Sequence, residues 1–258
     1  CDLYLAITGN FWMERLQKSL FYFWEPKIVH LDLAVDRNDF PFLKKNFNPS
    51  GNRRFLYIGN NSWCKNIAFL EKMAGILHNI DFSWIGFEGS ISNLKTLGFI
   101  DFSKNESKRI LSNYDFLITV GSADANPTTI LEAMSWGLIP VCSLESGYKG
   151  FSGIQNIPIN DIEKAIETIN NLQSMPQKQL HKWQNDNLNL LESHFNWNRF
   201  CLQVMEAIDG EYSPKLNYNS FLENLFLLSK ELQSPNFWGR PSNFYKFIKS
   251  NFKYFFKN

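Results

Sequence analysis

The sequence predicts an α/β fold: a Rossmann-like parallel sheet with helices on both faces, followed by a helical C-terminal extension. Short apolar runs alternate with helical periods. Most of these runs end at Gly or Ser, and around position 130 Pro and Gly punctuate a strand–helix–strand unit. Strands covered on both faces read as continuous apolar runs, and their alternation with helices is the pattern of a doubly wound sheet.

Strands are expected at 3–8, 27–33, 55–59, 82–86, 116–120 and 138–143, and helices at 11–24, 67–78, 106–113 and 128–136. Ile67, Leu70, Met73, Ala74 and Leu77 form one apolar helical stripe. Ligands in such folds bind at the carboxyl ends of strands, where Gly59, Gly86, Ser122 and Ser143 fall. The polar stretch 38–52, with Pro41, Pro49 and Gly51, reads as a linker. After Pro158 the chain becomes helical: Asp161 can cap a helix through Leu172, 177–194 forms another, and 195–200 leads into a helix ending at Ile208. Ser220 and Glu223 have capping-box spacing before a further apolar helix.

The 258 residues, 44% hydrophobic and 16% aromatic, supply a core and exclude disorder. A formal net charge of +1 gives no pull towards nucleic acid. Cys1, Cys64, Cys142 and Cys201 lie far apart with no C-x-x-C pair, which fits a reducing cytosol and argues against a disulfide framework or zinc site. Cys142 sits in an apolar run and reads as a small core residue. No apolar run approaches the ~20 residues that span a bilayer. The chain begins with Cys and opens directly on an apolar strand, so it is expected to be cut from a longer protein.

The run 122–141 carries most of the functional information. Asp124 precedes a helix and Glu132 stands eight positions on, inside it, with Pro127 near the first turn and Gly137 at the stop. The free amides of Thr128 and Thr129, with the positive end of the helix dipole behind them, suit a phosphate or diphosphate. The two carboxylates suit hydroxyl donors, as on a sugar or ribose.

A Gly-ended strand with a Lys six residues on (Gly59, Lys65), Asp124-x7-Glu132 with Ala-Met-x-x-Gly-x-x-Pro-Val, and the later Phe195-Asn-Trp together resemble the donor-binding half of GT-B glycosyltransferases. The likeness is to the retaining group with an acidic-x7-acidic motif and covers roughly residues 27–208. It implies that Glu132 holds the ribose hydroxyls, Asp124 binds the donor sugar, Thr128 and Thr129 amides take the diphosphate and Lys65 neutralises it. It also implies that the loop at Gly59 and Asn60 contributes to the donor site, and that backbone near Gly86 and Phe99–Ile100 lines the base pocket. Asp124 stands where the family usually has Glu. Val35-Asp36 resembles the turn ending the acceptor domain's last strand, with Ala34 in place of the usual Gly. The family's Arg five residues before the Lys is Asn60 here, which removes a bidentate phosphate contact that Lys alone does not replace. Arg53 and Arg54 are candidates to compensate.

The resemblance divides the chain into a remnant of an acceptor domain (1–37), a linker (38–52), a donor-binding domain (53–209) and the extension 210–258. The implied activity is transfer of a sugar from a nucleotide-diphosphate sugar to a glycan or lipid-linked acceptor. No cofactor or metal is expected, since the Asp-x-Asp pattern is absent and Lys with helix-start amides can stabilise the leaving phosphate. A non-catalytic nucleotide-sugar-binding or assembly subunit is the alternative. An epimerase shares the two-domain architecture, but the acidic-x7-acidic helix argues against it.

Plainer readings stand beside each residue. Lys65 reads also as a solvated lysine at a helix start, Glu132 as the partner of a surface lysine and Asp124 as a helix N-terminal charge. The four histidines read as structural, and Trp63 and Trp136 as packing residues, with Trp63 close enough to the phosphate loop to touch ligand. In the tail, Lys246, Lys249, Lys253 and Lys257 share a helical face opposite aromatic residues, and no acid occurs from Arg240 onward. Residues 240–258 therefore suit either an anionic membrane surface, placing the protein on the inner face from the cytoplasm, or packing on the body with lysines outward.

Overall fold

In the computed structural model, residues 3–19, 25, 27–40, 43–87 and 89–210 are described. Six parallel strands form the main sheet: β3 (Arg54–Ile58), β4 (Asp81–Ile85), β5 (Lys95–Gly98), β6 (Phe116–Thr119), β7 (Ile139–Cys142) and β8 (Gln155–Asn156). Their order is β5-β4-β3-β6-β7-β8, so the chain winds outward in one direction from β3 and then in the other from β6. A separate parallel pair, β1 (Tyr4–Ala6) and β2 (Ile28–His30), flanks helix α1 (Asn10–Gln17).

Side-chain alternation in the central strands feeds two cores. Phe55, Tyr57, Phe116 and Ile118 point to one face and meet Leu70 and Met73 of α2 (Ile67–Ile76) and Ile169 and Leu172 of α5 (Ile162–Gln173). Leu56 and Leu117 point to the other and meet Ile130, Leu131 and Met134 of α4 (Thr128–Trp136). Phe55 stacks on its cross-strand partners Phe82 and Phe116 at 5.1 and 4.8 Å between centroids, which fixes the register of three strands. α6 (Gln177–Ser193) contributes Leu180 to the first core and Leu191 to the second, and α7 (Trp197–Asp209) follows.

The expected α/β architecture is therefore present, with differences at the edges. β5 and β8 have no counterpart in the sequence reading, because these edge strands are short and largely polar. The helix expected at 106–113 divides into α3 (Asn105–Lys108) and a 3-10 turn (Arg109–Asn113), and α1 stops at Gln17. The helices anticipated beyond Gly210, including 240–258, lie outside the described residues. Among the described residues no helix is long and apolar enough to cross a membrane.

The stretch read as a linker is pinned to the sheet. Lys44 is 2% exposed, donates from Nζ to the Ser112 carbonyl and lies 3.5 Å from the fully buried Asp115. Asp115 also accepts from the Asn48 backbone and side chain and from the Arg54 amide, so every approach to its carboxylate is filled. Burial pushes the Lys44 ammonium down from its usual value, and Asp115 opposes that shift. Removing one partner of a buried ion pair strands the other, at about 3–5 kcal/mol. Asp115→Ala should therefore lower the stability measured by denaturant titration by that amount. Glu192→Ala, which removes the exposed partner of Arg37, should cost less than about 1 kcal/mol.

Candidate functional site

Because the strands run parallel, the loops after β3, β4 and β6 emerge at one edge of the sheet. The carbonyl of Cys64 accepts hydrogen bonds from the amides of Ser122 (2.9 Å) and Ala123 (3.4 Å), tying the turn after β3 to the loop after β6. That backbone contact brings together two side chains 59 residues apart. Lys65 Nζ lies 2.5 Å from Asp124 Oδ2, both side chains about four-fifths buried or more. Lys65 ends a 3-10 turn, Trp63–Lys65, and Asn66 then takes a left-handed conformation (φ 54°) to open α2. Gly121 admits this arrangement, since a Cβ there would stand 2.7 Å from the Asp124 Cβ.

α4 begins at Thr128, directly after Pro127, with no side chain capping its start. The Thr128 and Thr129 amides make no hydrogen bond among the described residues, and Thr128 is exposed. Gly137 (φ 82°) ends the helix in the left-handed region. Glu132, one turn beyond Thr128 on the same helix face, is half-buried, and no hydrogen bond or cation reaches it among the described residues. Burial alone pushes its carboxyl above the usual carboxylate value. Tyr148, 1% exposed, donates to the Pro127 carbonyl beneath the helix start. Its phenol is pushed up first by burial and then by several surrounding groups, the carboxylates of Asp124 and Glu132 among them. Tyr148 supports the helix start from beneath and was not singled out from the sequence. A tyrosine directly after Gly147 is its only trace in the sequence.

Gly59 and Gly86 sit at the ends of β3 and β4. A Cβ on Gly86 would overlap the Trp84 indole at 2.3 Å, and that indole donates to the Gly59 carbonyl at 2.7 Å. The Gly86 amide reaches the Gly98 carbonyl, and Ile100 follows in a segment packed against the second core. Phe87 and Phe99, 64% and 68% exposed, meet edge to face at 5.4 Å on this rim.

Two sequence expectations are corrected, for the arginines of β3 and for Trp63. At the loop, Asn60 Oδ1 accepts from the Ser62 amide and its carbonyl accepts from Tyr57. Arg53 and Arg54 lie at the far end of β3. Arg53 is 1% exposed and donates to the Met175 carbonyl, while Arg54 lies 3.4 Å from Asp81. Neither replaces a guanidinium at the loop. Trp63 is 83% exposed and is no packing residue, whereas Trp136 is 2% exposed and is one. Two cavities among the described residues, about 350 Å³ beside Trp197 and about 640 Å³ along α6, are lined by none of Lys65, Asp124, Thr128, Thr129 and Glu132. The candidate site is instead an open edge of the sheet.

No family model and no curated protein matches the sequence. Solved structures do match the fold. Sucrose-phosphate synthase from Thermosynechococcus elongatus aligns over 81% of this chain and 58% of its own, at 13% identity and a TM-score of 0.64. A glycosyltransferase from Rickettsia africae aligns over 81% and 64%, at 15% identity and 0.61. TarM aligns over 71% and 39%, at 13% identity and 0.57, and a TarM variant from S. aureus has been crystallised with UDP, α-GlcNAc-glycerol and fondaparinux. The chain spans between 39% and 64% of the length of these three proteins. The likeness establishes a fold shared with glycosyltransferases: the Rossmann-like half of the GT-B architecture.

Proposed function

We propose that the chain binds a nucleotide-diphosphate sugar and serves as the donor-binding half of a retaining glycosyltransferase. The observation that carries this reading is the Lys65–Asp124 pair, set beside the unpartnered Thr128 and Thr129 amides. A diphosphate would take those amides and draw the Lys65 ammonium towards itself. Asp124, released from Lys65, is then an acceptor for sugar hydroxyls. Glu132, without a partner among the described residues, accepts from the ribose hydroxyls. The edge formed by Gly59, Gly86 and Ile100, with Phe87 and Phe99 on its rim, receives the base. During transfer, negative charge grows on the departing diphosphate, where Lys65 and the positive end of α4 stabilise it without a metal. The acceptor in this reading is a glycan or lipid-linked glycan, and 240–258 would hold the protein on the inner face of an anionic membrane.

One observation favours a second reading, a subunit that binds a nucleotide sugar without turning it over. The loop after β3 presents no guanidinium: Asn60 stands in that position, its Oδ1 accepting from the Ser62 amide. Donor binding by the purified chain, with neither hydrolysis nor transfer when candidate acceptors are supplied, would favour this reading.

Calorimetry with UDP, GDP and ADP and with their nucleosides separates Glu132 from Lys65. Lys65→Ala should weaken the tightest nucleoside diphosphate by about ten- to a hundredfold, the worth of a charge-assisted hydrogen bond, and leave the nucleoside unaffected. Glu132→Ala should weaken nucleoside and diphosphate alike. Equal binding by parent and both variants would contradict the assignment.

Glu132 also predicts a stability effect. Its raised value in the folded state means that ionisation opposes folding at neutral pH, and that this penalty disappears below about pH 4, where the carboxyl is protonated in both states. Glu132→Gln should therefore raise the unfolding midpoint at pH 7, with the gain fading in acid, while losing nucleotide affinity. A lower midpoint at pH 7 would show a structural role for the carboxylate instead.

A further inference from the structure

The loop that supports the α4 start is clasped from the other side by the β1–α1–β2 unit. Gly9 (φ 74°) meets Gly147 (φ 86°) backbone to backbone. A Cβ on Gly9 would stand 2.3 Å from the Gly147 carbonyl oxygen, and one on Gly147 would stand 2.5 Å from Asn126 Oδ1. The Asn126 amide donates to the Ser146 carbonyl at 3.0 Å, and Pro127 and α4 follow at once. Trp12 Nε1 donates to the Glu145 carbonyl and Lys149 pairs with Glu14, so the clasp has two further contacts.

What holds Gly9 in place is a histidine. The Gly9 amide donates to His30 Nε2 at 3.1 Å. An amide can only donate, so Nε2 carries a lone pair, and His30 is neutral with its proton on Nδ1. Burial favours that neutral form, nearby Asp32 opposes it and His194 reinforces it. Asp32 is itself engaged: Oδ1 lies 3.1 Å from His194 Nε2, and Oδ2 accepts from Arg199 and Gln203. A proton on Nε2 would remove the acceptor and set one N–H against another.

We propose that His30 is a positioning residue: its neutral ring holds Gly9 against Gly147 and so steadies the loop carrying the α4 start, and its protonation releases that hold. For its effect on ligand this rests on the donor-binding reading; the clasp itself does not. The depressed His30 value means that its contribution is fully present above about pH 6.5 and is lost as the pH falls below it.

The test is amide hydrogen exchange on the full chain at about pH 7.5 and about pH 5, either side of the free histidine value. Protection factors are corrected for intrinsic exchange, and affinity for UDP, GDP and ADP is measured in parallel. Protection of Gly9 and Ser146–Gly147 should fall at least about tenfold in acid for the parent and for His194→Gln. His30→Gln, which offers an uncharged acceptor, should hold its protection at both values, and His30→Leu should be poorly protected at both. Nucleotide affinity should follow the same pattern. Equal protection of the parent at both values, or parent-like acid sensitivity in His30→Gln, would overturn the proposal. Protection that follows His30 in a chain binding no nucleotide would uphold the clasp and reject the donor reading.

Discussion

Parallel pairing between β3 and β6 is the constraint on which the site depends. It sends both strands to the same edge, and the Cys64 carbonyl then joins their loops through the Ser122 and Ala123 amides. Without that join, Lys65 and Asp124 would belong to unrelated loops. The stacked phenylalanines on β4, β3 and β6 protect the register from below, because a one-residue slip would turn every core side chain to the wrong face. The buried Lys44–Asp115 pair anchors the opposite end of the same two strands.

The charges at that edge are arranged unequally. Asp124 is neutralised by Lys65, whereas Glu132 keeps a half-buried carboxylate with no counter-charge among the described residues. A half-buried carboxylate without a counter-charge opposes folding, so its presence on this helix needs a reason outside stability. In the proposed reading, ribose hydroxyls supply one. The same edge leaves two helix-start amides without a hydrogen bond among the described residues, and in the proposed reading these donors and the Glu132 acceptor meet the two ends of a nucleoside diphosphate.

Local signals were legible in the sequence and distant ones were not. The α4 boundaries at Thr128 and Trp136 follow from Pro127 and Gly137, whose backbone preferences act without any tertiary partner. The two edge strands β5 and β8 were hidden because polar residues make them, held by pairing rather than by an apolar run. Proximity in sequence misled at Arg53 and Arg54, since the strand puts Arg54 roughly 17 Å and Arg53 roughly 20 Å from Gly59 at about 3.3 Å per residue. The join through Cys64 is made by backbone atoms, so no residue type announces it. The His30 contact with Gly9 is equally silent, because the acceptor is a side chain but the donor is an amide any residue carries.

The most direct measurement is a 1H–15N NMR titration of the chain with UDP, GDP and ADP. For at least one nucleotide, the account predicts the largest shifts at the Thr128 and Thr129 amides and in the Cys64–Lys65 and Ser122–Asp124 backbone. It further predicts that the Thr128 and Thr129 shifts depend on the phosphates and are absent with the nucleoside. Shifts centred instead on the cavity beside Trp197, with the Thr128 and Thr129 amides unmoved, would contradict it.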